Sequence, residues 1–310
     1  MTDQKPGLLR MIRAPFLSSI IAPLVAGTLL SVWITGAFSF AGFLLVLTMG
    51  VGLHAATNVY NDIYDTLQGS DRINVHRNEF SGGSGILVDH PDRLPVMRRT
   101  ARAGLLLAGL AAIGLTLAVR RALWPQLWGL FAVSAFLSKY YTAAPVKLAY
   151  RGLGEFFVWL SFGPMAVWVA AVSQNLGWHP LVAAASPATG ISTLSILLIG
   201  QMIDLPADKA TGKWGIAARV GIPKTCLFYL AVQLILVLDL LGLAWKMMPG
   251  GLTVLLGAVP YALLLPPIWI RLKRGHGNIV DLKAAAKMNV RLHLLFSVMF
   301  CAGLAIALFF

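Results

Sequence analysis

Apolar residues fill long stretches of this chain, and each stretch is bounded by charge, Gly or Pro. Nine stretches stand out: 15–35, 39–63, 101–119, 123–141, 153–173, 180–203, 224–245, 250–270 and 289–310. Each is close to the roughly 20 residues that an α-helix needs to cross a hydrocarbon core. Alternation at period two, the mark of a membrane β-barrel, is absent. A helix satisfies its own backbone hydrogen bonds in lipid. The pattern therefore predicts an all-α, polytopic membrane protein with nine transmembrane helices in one bundle, residues 1–310 forming a single membrane-embedded domain. The first stretch follows Lys5, Arg10 and Arg13 as a signal peptide would. Its apolar run is too long for one and no A-x-A site follows, so it is expected to stay as a helix.

Composition agrees. Hydrophobic residues make up 58% of the 310 and charged ones 12%, against about 25% charged in a soluble domain; mean hydropathy is +0.76. The net charge of +13 is distributed unevenly. Of the 25 Lys and Arg residues, 22 fall in the N-terminal tail and the second, fourth, sixth and eighth connections, leaving only Arg120, Arg121 and Lys246 on the other side. The positive-inside rule then places the N-terminus in the cytoplasm and the C-terminus outside a bacterial-type inner membrane. Basic loops facing anionic lipid account for the charge, and no basic patch interleaved with aromatics suggests nucleic acid. Cys226 and Cys301 lie in apolar stretches and read as packing residues, with no CxxC or His cluster beside them.

The twelve acids are placed more selectively still. Most follow the second and sixth stretches, and Asp239 alone lies well within a predicted span. In "HAATNVYNDIYDTLQGSD", His54, Asn58, Asn61, Asp62 and Asp65 occupy positions i, i+4, i+7, i+8 and i+11, one narrow stripe of a helix. Gly69 permits a turn that returns Asp71 to the same place. The second cluster, Gln201, Asp204 and Asp208, again makes one face, and Pro206 between the acids is expected to kink or end the helix. Acid clusters four helices apart on one side suggest two related halves meeting at one site. Carboxylates focused on one point need a cation. Hard oxygen donors without a His–Cys set favour Mg²⁺, whose shell phosphate oxygens commonly complete, and nearby Lys and Arg would hold the remaining phosphate charge.

At these residues the chain resembles the UbiA superfamily of intramembrane prenyltransferases. The first family motif, N-x-x-x-D with a further acid, is met by Asn61, Asp65 and Asp71, with Asp62 between them; the second, D-x-x-x-D, by Asp204 and Asp208. Gly69 two residues before Asp71, "RNEFSGGSGIL", "RGLGE" and "DKATGK" resemble the branch that prenylates 1,4-dihydroxy-2-naphthoate for menaquinone. The resemblance implies Mg²⁺-dependent transfer of a polyprenyl group from an allylic diphosphate to an aromatic acceptor. It implies Asn61, Asp62, Asp65, Asp71, Asp204 and Asp208 as metal ligands, with Asp65, Asp204 and Asp208 central to catalysis. Arg72, Arg77, Lys209 and Lys213 are the expected diphosphate contacts, and Asn58, Tyr140, Tyr141, Lys147, Ser81 and Gly82 the expected substrate contacts. The loop from Asp71 to Arg102, poor in apolar anchors, is expected to cap the cytoplasmic mouth.

Other classes fit less well. A transporter would place ionisable groups near mid-membrane, an alcohol phosphotransferase would carry a D-x-x-D-G-x-x-A-R segment, and a terpene cyclase on the same fold, or a different aromatic acceptor, would share the aspartates. The charge count makes a direct prediction. A reporter active only in the cytoplasm, fused after Phe310, gives no signal, and a strong signal would refute the nine-span topology.

Overall fold

The structure is a computed structural model that describes residues 6–310; Lys5, counted above with the N-terminal tail, lies outside them. The apolar stretches become helices α1 (Ser18–Thr35), α2 (Phe40–Gln68), α3 (Leu94–Ala118) and α4 (Trp124–Tyr140). Then come α5 (Gly154–Leu160, continuing through a π-helical turn, Ser161–Met165, into Ala166–Ser173), α6 (Pro180–Ala210), α7 (Ile216–Lys246), α8 (Val259–Arg274) and α9 (Ile279–Ala307). Among the described residues, eight helical segments are long and apolar enough to cross a membrane. The expected fourth span is the exception. It forms α4, whose 17 residues sit at the short limit for a spanning helix.

Two helices overrun their predicted ends. α2 continues from 63 to Gln68 and α6 from 203 to Ala210, because the polar stripe that ended each apolar count keeps helical periodicity and finds partners there. Pro206 neither ends nor breaks α6. It removes one N–H, while hydrogen bonds to Asp204 and ion pairing of Asp208 hold the flanking turns. α7 does break, at Gly221 (φ 80°, ψ 167°), so its continuous part starts close to the predicted residue 224.

Loop contacts fix the up–down order. At one end, Gln174 bonds both the N–H and the C=O of Ser39, and Asn175 holds Arg120. At the other, Gln68 reaches Thr142 O (2.9 Å), Trp214 N reaches Tyr150 O (3.2 Å) and Arg219 reaches Arg151 O (2.7 Å). One apolar core joins α6 to α9 and a second joins α1 to α5; α1 and α5 contribute to both. Lipid tails are as apolar as leucine, so close backbone approach and hydrogen bonds hold such helices together. Tyr229 bonds Asn289 (2.7 Å), Asn289 bonds Ser195, and His293 bonds Ser192 (2.9 Å) and Ser19 (3.3 Å). Both cysteines are free, Cys226 buried beside Met202.

α2 and α3 are packed backbone to backbone at Gly52 and Gly104, where a Cβ on either residue would lie 2.7 Å from the other's carbonyl oxygen. Gly52→Val must therefore push these helices apart. A loss of about 1–3 kcal/mol is expected, read as a lowered unfolding temperature in detergent, whereas Gly129→Val, whose Cβ would meet nothing within 4 Å, leaves it unchanged.

Candidate active site

The polar stripe of α2 faces a cavity of about 200 Å³. His54, Asn58, Asn61 and Asp65 line it from α2, and Gln201, Asp204 and Asp208 from α6. Gly69 (φ 98°) ends α2, and the helical turn Ser70–Ile73 brings Asp71 back onto the same wall, as the sequence suggested. The two acid clusters thus face one space.

Each acid has distinct partners. Asp65 accepts from the Tyr150 hydroxyl (2.8 Å) and from Lys213 Nζ (3.0 Å), and Lys213 also lies 3.8 Å from Asp208. Burial opposes the charge of Lys213, but Asp65 and then Asp208 outweigh it and hold the ammonium well above the usual lysine range. Asp204 accepts from Asn74 Nδ2 (2.7 Å) and Gly82 N (3.1 Å). Asp71 is the poorly served member. Its Oδ2 is buried with no hydrogen-bond partner, and burial followed by the charge of Asp65 pushes the carboxyl up to about 8. Burial and then Asp65 also raise the Tyr150 hydroxyl, which keeps it a donor.

The connection between α2 and α3 is folded over this cluster. Asp62 turns away from the cavity and accepts Ser84 N on both oxygens (3.2 Å each), with Arg13 at 4.0 Å. Gly83 (φ 70°) presses its backbone against Asp71: a Cβ there would collide with the Asp71 carboxylate and stand 3.0 Å from Asp62 Oδ1. The expectation of few apolar anchors is corrected. α3 begins at Leu94, and Ile86 and Leu87 are buried in a small core with Met11, Ile63 and Met97.

The structure brings some predicted contacts to the cavity and leaves others outside. Ser81, Gly82, Asn58 and Tyr141 line it, with Asn58 Nδ2 donating to Ile12 O. Tyr140 packs on Phe136 beneath Lys139, and Lys147 lies over the Tyr150 ring; neither lines the cavity. Arg72 and Lys209 are exposed and outside it. Arg77 bonds Asp89 (3.2 and 3.3 Å) and lines an adjoining opening of about 600 Å³ with Arg10 and Arg13. Of the four expected diphosphate contacts, only Lys213 reaches the cavity. Sequence reasoning missed Arg13, whose charge was absorbed as a topology signal, and missed Tyr150 and Asn74, which orient Asp65 and Asp204. It also missed the buried Glu155, which accepts from Gln201 Nε2 (2.7 Å) and Ile216 N (2.6 Å) and ties α5 to α6 and α7.

The donor set suits a hard divalent cation. Asp71 offers an unpartnered buried oxygen, while Asp65, Asp204, Asp208 and Asn61 stand on the same walls. Asn74, Gly82, Tyr150 and Lys213 take some of the oxygens of Asp65, Asp204 and Asp208, leaving one or two carboxylates to serve an ion directly. That fits Mg²⁺, which takes one or two carboxylates and completes its shell with water and phosphate.

Known proteins share the sequence pattern and the fold of this chain. The sequence profile of the UbiA prenyltransferase family matches residues 20–290. The chain is 31% identical over 215 residues to 1,4-dihydroxy-2-naphthoate octaprenyltransferase of Mycobacterium tuberculosis, covering 69% of each protein. It is 26% identical over 260 residues to 2-carboxy-1,4-naphthoquinone phytyltransferase of Synechocystis, covering 83% of this chain and 80% of that one. Among solved structures, a UbiA homolog from Aeropyrum pernix shares the fold (TM-score 0.63, 18% identity, 94% of this chain and 98% of that one). So does a homolog from Archaeoglobus fulgidus bound to GPP and Mg²⁺ (TM-score 0.62, 15% identity, 94% and 99%).

Lys213→Met strips the counter-charge from Asp65 and Asp208. Breaking a buried pair this way costs about 3–5 kcal/mol, so unfolding in detergent should move to lower temperature. Mg²⁺ should recover more stability in this variant than in the unaltered protein. Unfolding unchanged by the substitution would show that the lysine does not neutralise the cluster.

Proposed function

Because the chain belongs to the UbiA prenyltransferase family, we propose that it transfers a polyprenyl group from an allylic diphosphate to 1,4-dihydroxy-2-naphthoate in menaquinone synthesis. The observation that carries this reading is the pair of acid-bearing helix ends facing one cavity, joined by Lys213 and opening onto apolar walls. The acceptor class is supported by two relatives whose names specify a carboxylated bicyclic ring, 1,4-dihydroxylated in one and a 1,4-quinone in the other.

Asp65, Asp71, Asp204 and Asp208, with the Asn61 amide, would hold Mg²⁺, and Asp62 serves the loop instead. Bound there, Mg²⁺ supplies positive charge to the departing diphosphate. Lys213 and Arg13 add charge from the protein, fixed before the reaction begins. The allylic C–O bond breaks with its electron pair going to the diphosphate. Phe162, Val158 and Leu197 keep water from the cation left behind, and the Tyr141 and Phe162 rings can face it. A ring carbon supplies the pair for the new C–C bond; the carboxylate leaves as CO₂, and its bonding pair restores aromaticity. Gly82, Gly83 and Ser84 close the mouth above the cluster. We place the whole chain as one domain in the cytoplasmic membrane, with the N-terminus and this loop on the cytoplasmic side and the C-terminus outside.

The test is an assay of membranes with labelled polyprenyl diphosphate against a panel of aromatic acceptors, read by product mass. Prenylated, decarboxylated naphthalenediol is the expected product; a benzoate-derived product, or a cyclic hydrocarbon formed without acceptor, would overturn the assignment. Asp65→Ala, Asp204→Ala and Asp208→Ala each abolish turnover, and chelation does the same until Mg²⁺ is returned. Asp281→Ala, whose carboxylate pairs with Arg271 away from the cavity, stays near the wild-type rate.

A further inference from the structure

Of the residues lining the cavity, two carry a buried side-chain atom with no hydrogen-bond partner: Asp71 Oδ2 and His54 Nδ1. The first belongs to the carboxylate cluster. The second lies eleven residues before Asp65 on the same helical stripe, about 16 Å deeper along α2. His54 is only 7% exposed, and its ring stands edge-on to Phe162 at 4.8 Å. It also lines a smaller cavity of about 100 Å³ among α1, α2, α4 and α5, so it stands where two spaces meet.

Several nearby polar side chains are engaged elsewhere, and Asn58, one turn along α2, gives its Nδ2 to Ile12 O. Thr57 donates to Leu53 O, Thr193 to Thr189 O, and Ser19 bonds His293. A buried polar atom without a partner carries a desolvation cost, and such atoms need an explanation in a folded protein. A neutral imidazole presents one lone pair and one N–H. A prenyl chain has no hydrogen to give to that lone pair, and neither has a fully ionised phosphate. The adjoining smaller cavity also holds Ser138, whose buried Oγ has no partner either.

We propose that His54 is the contact that recognises the aromatic acceptor: its Nδ1 takes a hydrogen bond from a ring hydroxyl. The inference rests on the function proposed above and names the group that selects its acceptor. The bond draws the hydroxyl proton towards nitrogen without removing it. Electron density on the oxygen rises and is passed to the ortho and para ring carbons, where the C–C bond forms. His54 therefore acts on acceptor affinity and on nucleophilicity, and not on loss of the diphosphate.

The experiment uses the full chain in detergent, with wild type, His54→Leu and His54→Gln. The probes are 1,4-dihydroxy-2-naphthoate as substrate and its di-O-methyl ether as a competitive inhibitor. His54→Leu should lower kcat/KM for the naphthoate about tenfold, the scale of one hydrogen bond, with KM for the prenyl diphosphate unchanged. His54→Gln, whose carbonyl accepts the same bond, should recover most of that loss. Wild type should bind the hydroxyl compound more tightly than its ether, and His54→Leu should bind both alike. A His54→Leu enzyme with wild-type acceptor kinetics, or one that still prefers the hydroxyl compound, overturns the assignment of His54 and leaves the parent reading intact. So does a rise in KM for both substrates that His54→Gln does not reverse. A wild-type enzyme inactive with every aromatic acceptor overturns both.

Discussion

Carboxylates gathered at one end of a bundle that packs in lipid repel one another, and the surrounding structure answers that repulsion. Isolated charge is costly to bury, so every acid except Asp71 on these walls is met by a donor or a cation. Lys213 stands between Asp65 and Asp208, Tyr150 holds Asp65, and Asn74 with Gly82 N holds Asp204. These partners come from three different connections of the chain: Asn74 and Gly82 follow α2, Tyr150 follows α4 and Lys213 follows α6. Neutralising the cluster is therefore also what draws the loops at this end together, and the shape of the mouth follows from it.

The helices and the acid stripe were legible because periodicity is a local property. A span announces itself by length and polarity, and residues at i, i+4, i+7 and i+11 share a face wherever the helix packs. His54, Asn58, Asn61 and Asp65 reach the cavity for that reason, and Asp204 and Asp208 for the same one. Asp62 sat within the same stripe, yet a small rotation decides between cavity and loop, and Ser84 N claimed it. Residues outside helices obey no such period. Arg72 and Arg77 looked suited to phosphate by charge and proximity in sequence, but the connection leaves the first exposed and turns the second to Asp89, while Lys209, still within α6, falls on an exposed position beside Asp208. Tyr150 was hidden for the converse reason. It sits in a short 3-10 turn, Leu148–Arg151, between Lys147 and Gly152, both at positive φ, and that turn aims its hydroxyl at Asp65.

Asp71 and Lys213 make a complementary pair of loose ends. One is a carboxyl that burial and then Asp65 push up to about 8; the other is an ammonium held by two carboxylates. An arriving cation would release the proton from the first and weaken the hold on the second.

Asn74 and Gly82 belong to the connection after α2, yet they hydrogen-bond Asp204 at the end of α6. The two acid-bearing halves are thus interlocked: the first supplies the hydrogen bonds that orient an acid of the second. A hybrid chain spliced between α4 and α5 from two family members would inherit Asp204 from one parent and its donors from the other. Such parts are not interchangeable modules, and compatibility between parents would be decided by a few loop residues around Asn74 and Gly82, more than by overall identity of the helices.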